Sequence, residues 1–191
     1  MTLQWMPSLT LLVGVSLIVG ACKTPVDPGT SAVEPTSTEP AEAVMPKPAA
    51  IVGNTSPDAI IGMFEAWSPE AAVQPDATAS AALSAVDAGA TVEVYLGTWC
   101  SDSRREVPRL WRALDLAGTV PFDVRYIGLD RDFAAADVNL DDKDIIAVPT
   151  FVVLRNGVEV GRVIEESPTG IESDLLSLLD GSKTGNLSAS R

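Results

Sequence analysis

Thr91 to Leu96 is a β-branched, apolar run, and after a four-residue turn an amphipathic helix pattern begins at Ser101. Val107, Leu110, Trp111 and Leu114 fall at the i, i+3, i+4, i+7 spacing of one helix face, which predicts a helix over 101–116. Phe122 to Gly128 reads as a second strand. A strand, a helix and a strand in this order make a parallel β-α-β unit. Asn139 to Ile146 reads as a short helix or turn, and Pro149 to Leu154 as a third strand. Asn156-Gly157 is a strong two-residue hairpin signal, with Val158 to Ile164 as the partner strand. Thr169 and Glu172 have capping-box spacing. They open a last helix with Ile171, Leu175, Leu178 and Leu179 on its buried side. Ahead of the first strand, Ser56 or Pro57 to Trp67 reads as a short helix and Asp76 to Ala88 as an Ala-rich one. The expected class is α/β, in the order β-α-β-α-β-β-α. It is a mixed sheet with helices on both faces, plus an N-terminal helical extension.

The start of the chain carries a different signal. Leu9 to Gly20 is a mostly apolar run of twelve residues. A membrane-spanning helix needs about 20, so the run suits the central region of a signal peptide instead. It ends in Val19-Gly20-Ala21-Cys22, which resembles the bacterial lipobox. That resemblance implies removal of residues 1–21 and lipidation of Cys22, with the lipid as a membrane anchor. Lys23 follows Cys22 where an inner-membrane retention signal would have Asp. The expected location is therefore the cell envelope. The periplasmic face of the outer membrane, or the cell surface, is favoured over the inner membrane. Residues 22–53 are rich in Pro, Thr, Ser, Ala and Glu and lack hydrophobic periodicity, so they read as a disordered tether. Residues 54–182 then form the domain, and 183–191 read as a loose polar tail.

Composition removes several chemistries. The chain has no His and two Cys, which excludes Ser-His-Asp and Cys-His catalysis and any His-ligated or four-thiolate metal site. The net charge of −13 repels nucleic acid, and no Lys or Arg occurs from Pro48 to Ser103. No phosphate loop or dinucleotide fingerprint is present. No cofactor and no metal is expected. Asp130, Asp132, Asp141, Asp142 and Asp144 are acidic but lack the Gly and Glu of an EF-hand loop, and read as a solvated loop.

The remaining signal lies at the strand-to-helix turn. Thr98-Trp99-Cys100-Ser101-Asp102-Ser103 resembles the Trp-Cys-x-x-Cys motif of the thioredoxin-like superfamily. Pro108 matches the proline that kinks the family's active-site helix. Val148-Pro149-Thr150, with Pro149 49 residues after Cys100, resembles the family's cis-proline loop. The resemblance covers roughly residues 90–180. It implies a thioredoxin-like fold, a catalytic site at Cys100 with Trp99 as one wall, and a substrate-binding loop at Val148, Pro149 and Thr150. Two departures stand out. Ser103 occupies the position of the resolving cysteine. Val94 stands where the family commonly buries an Asp, with Glu93 pointing to the opposite face of the strand.

A Cys at a helix N-terminus is favoured as thiolate, and the thiolate is the nucleophile. Arg104 and Arg105 lie one turn in, and Asp102 opposes them. The Ser103 hydroxyl is placed to donate a hydrogen bond to the Cys100 sulfur, but it cannot release a mixed disulfide. The expected function is monothiol thiol–disulfide exchange through Cys100. Its partners would be thiols or disulfides of exported proteins, or glutathione. The alternative is a non-catalytic module that holds extended peptides at the cell envelope. A one-cysteine peroxidase fits poorly, because Glu93 and Gly97 stand where that chemistry needs Pro and Thr or Ser. Cytochrome-maturation electron delivery normally needs both cysteines. Lipidation of Cys22 excludes a Cys22–Cys100 disulfide; without it, the exported compartment permits one.

Overall fold

The computed structural model describes residues 49–189. The segment read as a signal peptide (1–21), Cys22 and most of the segment read as a tether lie outside the described residues, as do the last two positions. The elements are β1 (Gly53–Thr55), α1 (Pro57–Met63), α2 (Ala77–Ala82), β2 (Ala90–Leu96), α3 (Ser101–Ala117), β3 (Asp123–Gly128), β4 (Thr150–Arg155), β5 (Val158–Ile164), α4 (Ile171–Leu179) and β6 (Gly185–Asn186). They form one six-stranded mixed sheet in the order β1-β3-β2-β4-β5-β6. β2 runs parallel to β3 and antiparallel to β4, and β4 and β5 form the expected hairpin. Asn156 and Gly157 take φ of 53° and 79°, the paired left-handed conformation a tight hairpin turn needs. The central β-α-β unit and the late hairpin give the thioredoxin-like arrangement that the sequence implied.

The central strand is buried on both sides. Val92, Val94 and Leu96 join the larger core, with Phe151 and Val153 from β4 and Leu110, Leu175 and Leu178 from the helices. Tyr95 points the other way, into a smaller cluster with Ile127, Leu129, Val148 and Val152. The core residues of α1, α3 and α4 join the larger cluster. The second face is covered by the loop between β3 and β4, through Phe133, Val138, Leu140 and Ile145.

The reason is local. Asp130 Oδ1 accepts the amides of Asp132 and Ala134, and Asn139 Oδ1 accepts that of Asp141. Such side-chain-to-backbone bonds offer the chain an alternative to a helix. The 139–146 segment is accordingly a turn.

Other expectations are also adjusted. The first helix stops at Met63, and a separate 3-10 turn, Glu65–Trp67, brings Trp67 into the core. The Ala-rich helix shortens to α2 followed by a 3-10 turn, Leu83–Ala85. The Thr169/Glu172 capping box does not form: Gly170 caps α4 without a side-chain bond. Glu172 is instead fully buried and takes Arg109 through two bonds, of 2.9 and 2.7 Å, while also accepting the Asp76 amide. Thr169 Oγ1 donates to Asp174. Part of the tail read as loose lies on the sheet edge. β6 pairs with β5, and a side chain at Gly161 would stand 2.5 Å from the Gly185 carbonyl oxygen. The tether ends earlier than expected, since the Ile51 amide bonds to Thr98 Oγ1. Among the described residues no helix is long and apolar enough to cross a membrane.

The Arg109–Glu172 pair joins α3 and α4 to the chain entering α2. Removing the cation strands a buried carboxylate, which costs about 3–5 kcal/mol. Arg109→Ala should lower the urea midpoint by the equivalent of that range, read by circular dichroism. An unchanged midpoint would show that the pair is dispensable.

Candidate active site

The site begins at the end of β2. Cys100 is the N-cap residue of α3, with extended backbone (φ −92°, ψ 131°) and no side-chain capping bond. Its carbonyl accepts the Arg104 amide and its own amide bonds the Gly97 carbonyl. The half-buried thiol is thereby fixed at the positive end of a 17-residue helix. Its Sγ lies 3.1 Å from the carbonyl oxygen of Val148, to which the thiol donates. The structure therefore brings Cys100 and the Val148-Pro149-Thr150 loop together. The Val148–Pro149 peptide is cis. Thr150 is buried and donates through Oγ1 to the Ala147 carbonyl at 2.7 Å. The Val148 amide has no hydrogen-bond partner among the described residues.

Ser103 is fully buried, and its Oγ accepts the Gly97 amide at 3.2 Å. It thus ties the first turn of α3 back to the strand end. A bond from Ser103 to the Cys100 sulfur is not among those of the described residues. Trp99 lies beside Cys100 and is firmly held. Its Nε1 donates to the Leu129 carbonyl at 2.9 Å, and Phe133 meets its ring edge-on. The Arg131 guanidinium lies 4.9 Å from the ring centroid. A Cβ on Gly97 would come within 2.7 Å of the indole, so this position requires glycine for Trp99 to lie where it does.

The charges on α3 divide. Arg105 is paired with Asp102 and Glu106, both at 2.8 Å. Asp102 is thus compensated locally rather than opposing Cys100 alone. The Arg104 side chain has no partner among the described residues. Val94 lies in the larger core, so no carboxylate occupies that position.

Glu93 lies across the sheet and works as a staple. Its Oε2 accepts Tyr95 Oη at 2.8 Å and Lys143 Nζ at 2.9 Å, and Arg125 stands 4.0 Å from Oε1. Burial alone would raise its pKa. The hydrogen bonds from Lys143 and Tyr95, with the charges of Lys143 and Arg125, outweigh burial and hold it below the ordinary value of 4.5. Burial and the Glu93 bond push the Tyr95 phenol well above its usual range. Sequence reasoning missed this staple, because Lys143 is separated from Glu93 by fifty residues.

It also missed the cleft beside Cys100. A depression of about 420 Å³ opens between the active-site turn and residues 63–67 of the N-terminal extension. Met63, Phe64 and Trp67 line one side, and Trp99, Cys100 and Arg104 the other. The Met63-Phe64 doublet at the end of a capped helix was the available signal.

No family model matches the chain. Over 84 residues it is 29% identical to the mitochondrial thioredoxin-3 of Saccharomyces cerevisiae, a match that takes in 44% of this chain. The chain spans 61% of that relative's length. Among solved structures, a Pseudomonas aeruginosa protein of unknown function superposes with a TM-score of 0.45 at 17% identity, covering 56% of this chain and 75% of that one. A single-site mutant of thioredoxin from Halobacterium salinarum gives 0.36 at 18% identity, covering 58% and 87%.

The Glu93 staple makes a pH prediction. The folded carboxyl titrates below its unfolded value, so as pH falls the unfolded chain takes up the proton first. The stabilisation is complete above pH 4.5 and is lost as pH falls through the lower folded value. Glu93→Gln should cost about 1–2 kcal/mol at pH 7 and flatten the acid limb of a stability–pH curve. A variant curve parallel to that of the parent would remove Glu93 from the account.

Proposed function

From the weak homology to thioredoxin and the thioredoxin-like fold, we propose that this protein carries out monothiol thiol–disulfide exchange through Cys100. The observation that carries this reading is the placement of the thiol. Cys100 caps a long helix and touches the carbonyl of Val148, beside an amide with no partner among the described residues. An extended substrate segment pairing with Val148 would present its sulfur to Cys100. As thiolate, Cys100 attacks one sulfur of the substrate disulfide. A Cys100–substrate bond forms, the substrate bond breaks, and the leaving thiolate takes a proton from water. Ser103 supplies no second thiol, so release requires one from outside the domain.

The partners in this proposal are thiols and disulfides of exported proteins, with glutathione as the outside thiol. The exported location rests on the apolar run ending in Val19-Gly20-Ala21-Cys22 and on lipidation of Cys22. Cys22→Ser should move the protein from the membrane fraction to the soluble fraction. Retention in the membrane fraction would refute anchoring through Cys22.

One observation favours the binding-module reading: the Cys100 thiol is already bonded within the protein. Mixed-disulfide formation separates the two readings. With Cys22→Ser to leave one thiol, the folded chain is treated with hydroxyethyl disulfide and analysed by intact mass. We expect a single adduct at Cys100, formed about tenfold faster than in the urea-unfolded chain, and none after Cys100→Ser. A folded rate at or below the unfolded rate would overturn exchange and leave peptide binding.

A further inference from the structure

The cleft beside Cys100 is built in part from residues outside the central β-α-β unit and hairpin. Its extension wall is Met63 to Trp67, and its floor includes Trp67, which is 1% exposed. Two charges line it, and neither has an ion-pair or hydrogen-bond partner for its side chain among the described residues. They are Arg104, one turn into α3, and Glu65, at the start of the 3-10 turn. The contrast with Arg105 is direct, since that cation is held by two carboxylates. The cleft thus offers an apolar and aromatic surface, one free cation, one free anion and a thiol, within about 420 Å³. That volume falls within the range of small-molecule sites, roughly 300–1,000 Å³.

We infer that this cleft seats a zwitterionic low-molecular-weight thiol, which Arg104 engages through its carboxylate and Glu65 through its ammonium. The inference rests on the exchange reading and gives the outside thiol of that reading a seat on the protein. Guanidinium–carboxylate contacts are charge-assisted, and their planar geometry orients the bound molecule. The apolar wall takes the aliphatic part of the thiol and places its sulfur near Cys100.

The chemistry closes without another reactant. After Cys100 has opened a protein disulfide, the seated thiolate attacks the Cys100 sulfur. A bond forms between Cys100 and the small thiol, the Cys100–protein bond breaks, and the protein thiolate takes a proton. A second small thiol attacks the small molecule's sulfur, and Cys100 leaves as thiolate. One protein disulfide is reduced and two small thiols are oxidised to their disulfide.

The microscopic reverse of the last step is directly measurable. The Cys22→Ser chain is treated separately with glutathione disulfide, which is zwitterionic, and with hydroxyethyl disulfide, which is neutral. Each rate of adduct formation at Cys100 is divided by the rate for the urea-unfolded chain, which removes intrinsic reactivity. We expect the normalised rate to favour glutathione disulfide by about tenfold. Arg104→Gln should bring that ratio close to one, and Glu65→Gln should lower it in part. Equal normalised rates in the parent chain, or a ratio unmoved by both substitutions, would overturn the inference while leaving exchange intact. Failure of both disulfides to react faster with the folded than with the unfolded chain would overturn exchange, and this inference with it.

Discussion

The central strand β2 is buried on both faces, and the core residues of the described helices gather on one of them. The other face carries Glu93 and Tyr95, and its cover is an Asp-rich loop that cannot supply a helix-sized apolar surface. The loop is therefore held by polar bonds as well as by packing. Lys143 reaches Glu93, Tyr95 satisfies the same carboxylate oxygen, and Arg162 donates to the carbonyls of Lys143 and Asp144. The carboxylate tolerates its depth because it has two hydrogen-bonded partners and a further cation at the rim. The same loop begins at Leu129, whose carbonyl holds the Trp99 indole, and it supplies Phe133 and Arg131 around that ring. The Trp99 wall of the candidate site is thus linked, through one loop, to a staple on the second face of the sheet.

The first face shows the complementary solution. Glu172 is buried at the start of α4, with no room for solvent, and Arg109 reaches it from α3. The third bond to that carboxylate comes from the Asp76 amide, which begins α2. The extension is consequently welded to the helical layer. The cleft beside Cys100 has its second wall because Trp67, at the end of the 3-10 turn, packs into the core against Trp111 of α3. A thiol that would otherwise stand beside open solvent faces Met63, Phe64 and Trp67 instead.

Periodicity made the strands and long helices legible. The Thr91–Leu96 run, the α3 stripe and the Asn156-Gly157 turn each carry a local signal strong enough to name the element. The capping box at Thr169 and Glu172 misled because its spacing is local while the demand on Glu172 is tertiary: a buried cation partner outweighs a cap. For the 139–146 segment the sequence left a short helix or a turn open, and the turn forms. Leu140 and Ile145 pack on the second core, while Asn139 takes the Asp141 amide. At the site, the turn, Trp99 and Cys100 were readable as a motif. The cleft was not, since it joins residues 63–67 to residues 98–104 through a contact that no sequence spacing announces.

The serine at 103 has consequences beyond the absence of a second thiol. Its hydroxyl accepts the Gly97 amide, so the turn that carries Cys100 is closed by a bond that does not involve the cysteine sulfur. In a dithiol site the corresponding atom changes partner as the disulfide forms and breaks. In the proposed exchange only the external sulfur would change, and a mixed disulfide at Cys100 would last until an outside thiol reached it. The geometry of access, set by the Val148 loop on one side and the extension cleft on the other, would then be the controlling variable. Two approaches to one sulfur are what the proposed monothiol reaction needs, because the incoming and resolving thiols must reach it without an intramolecular step.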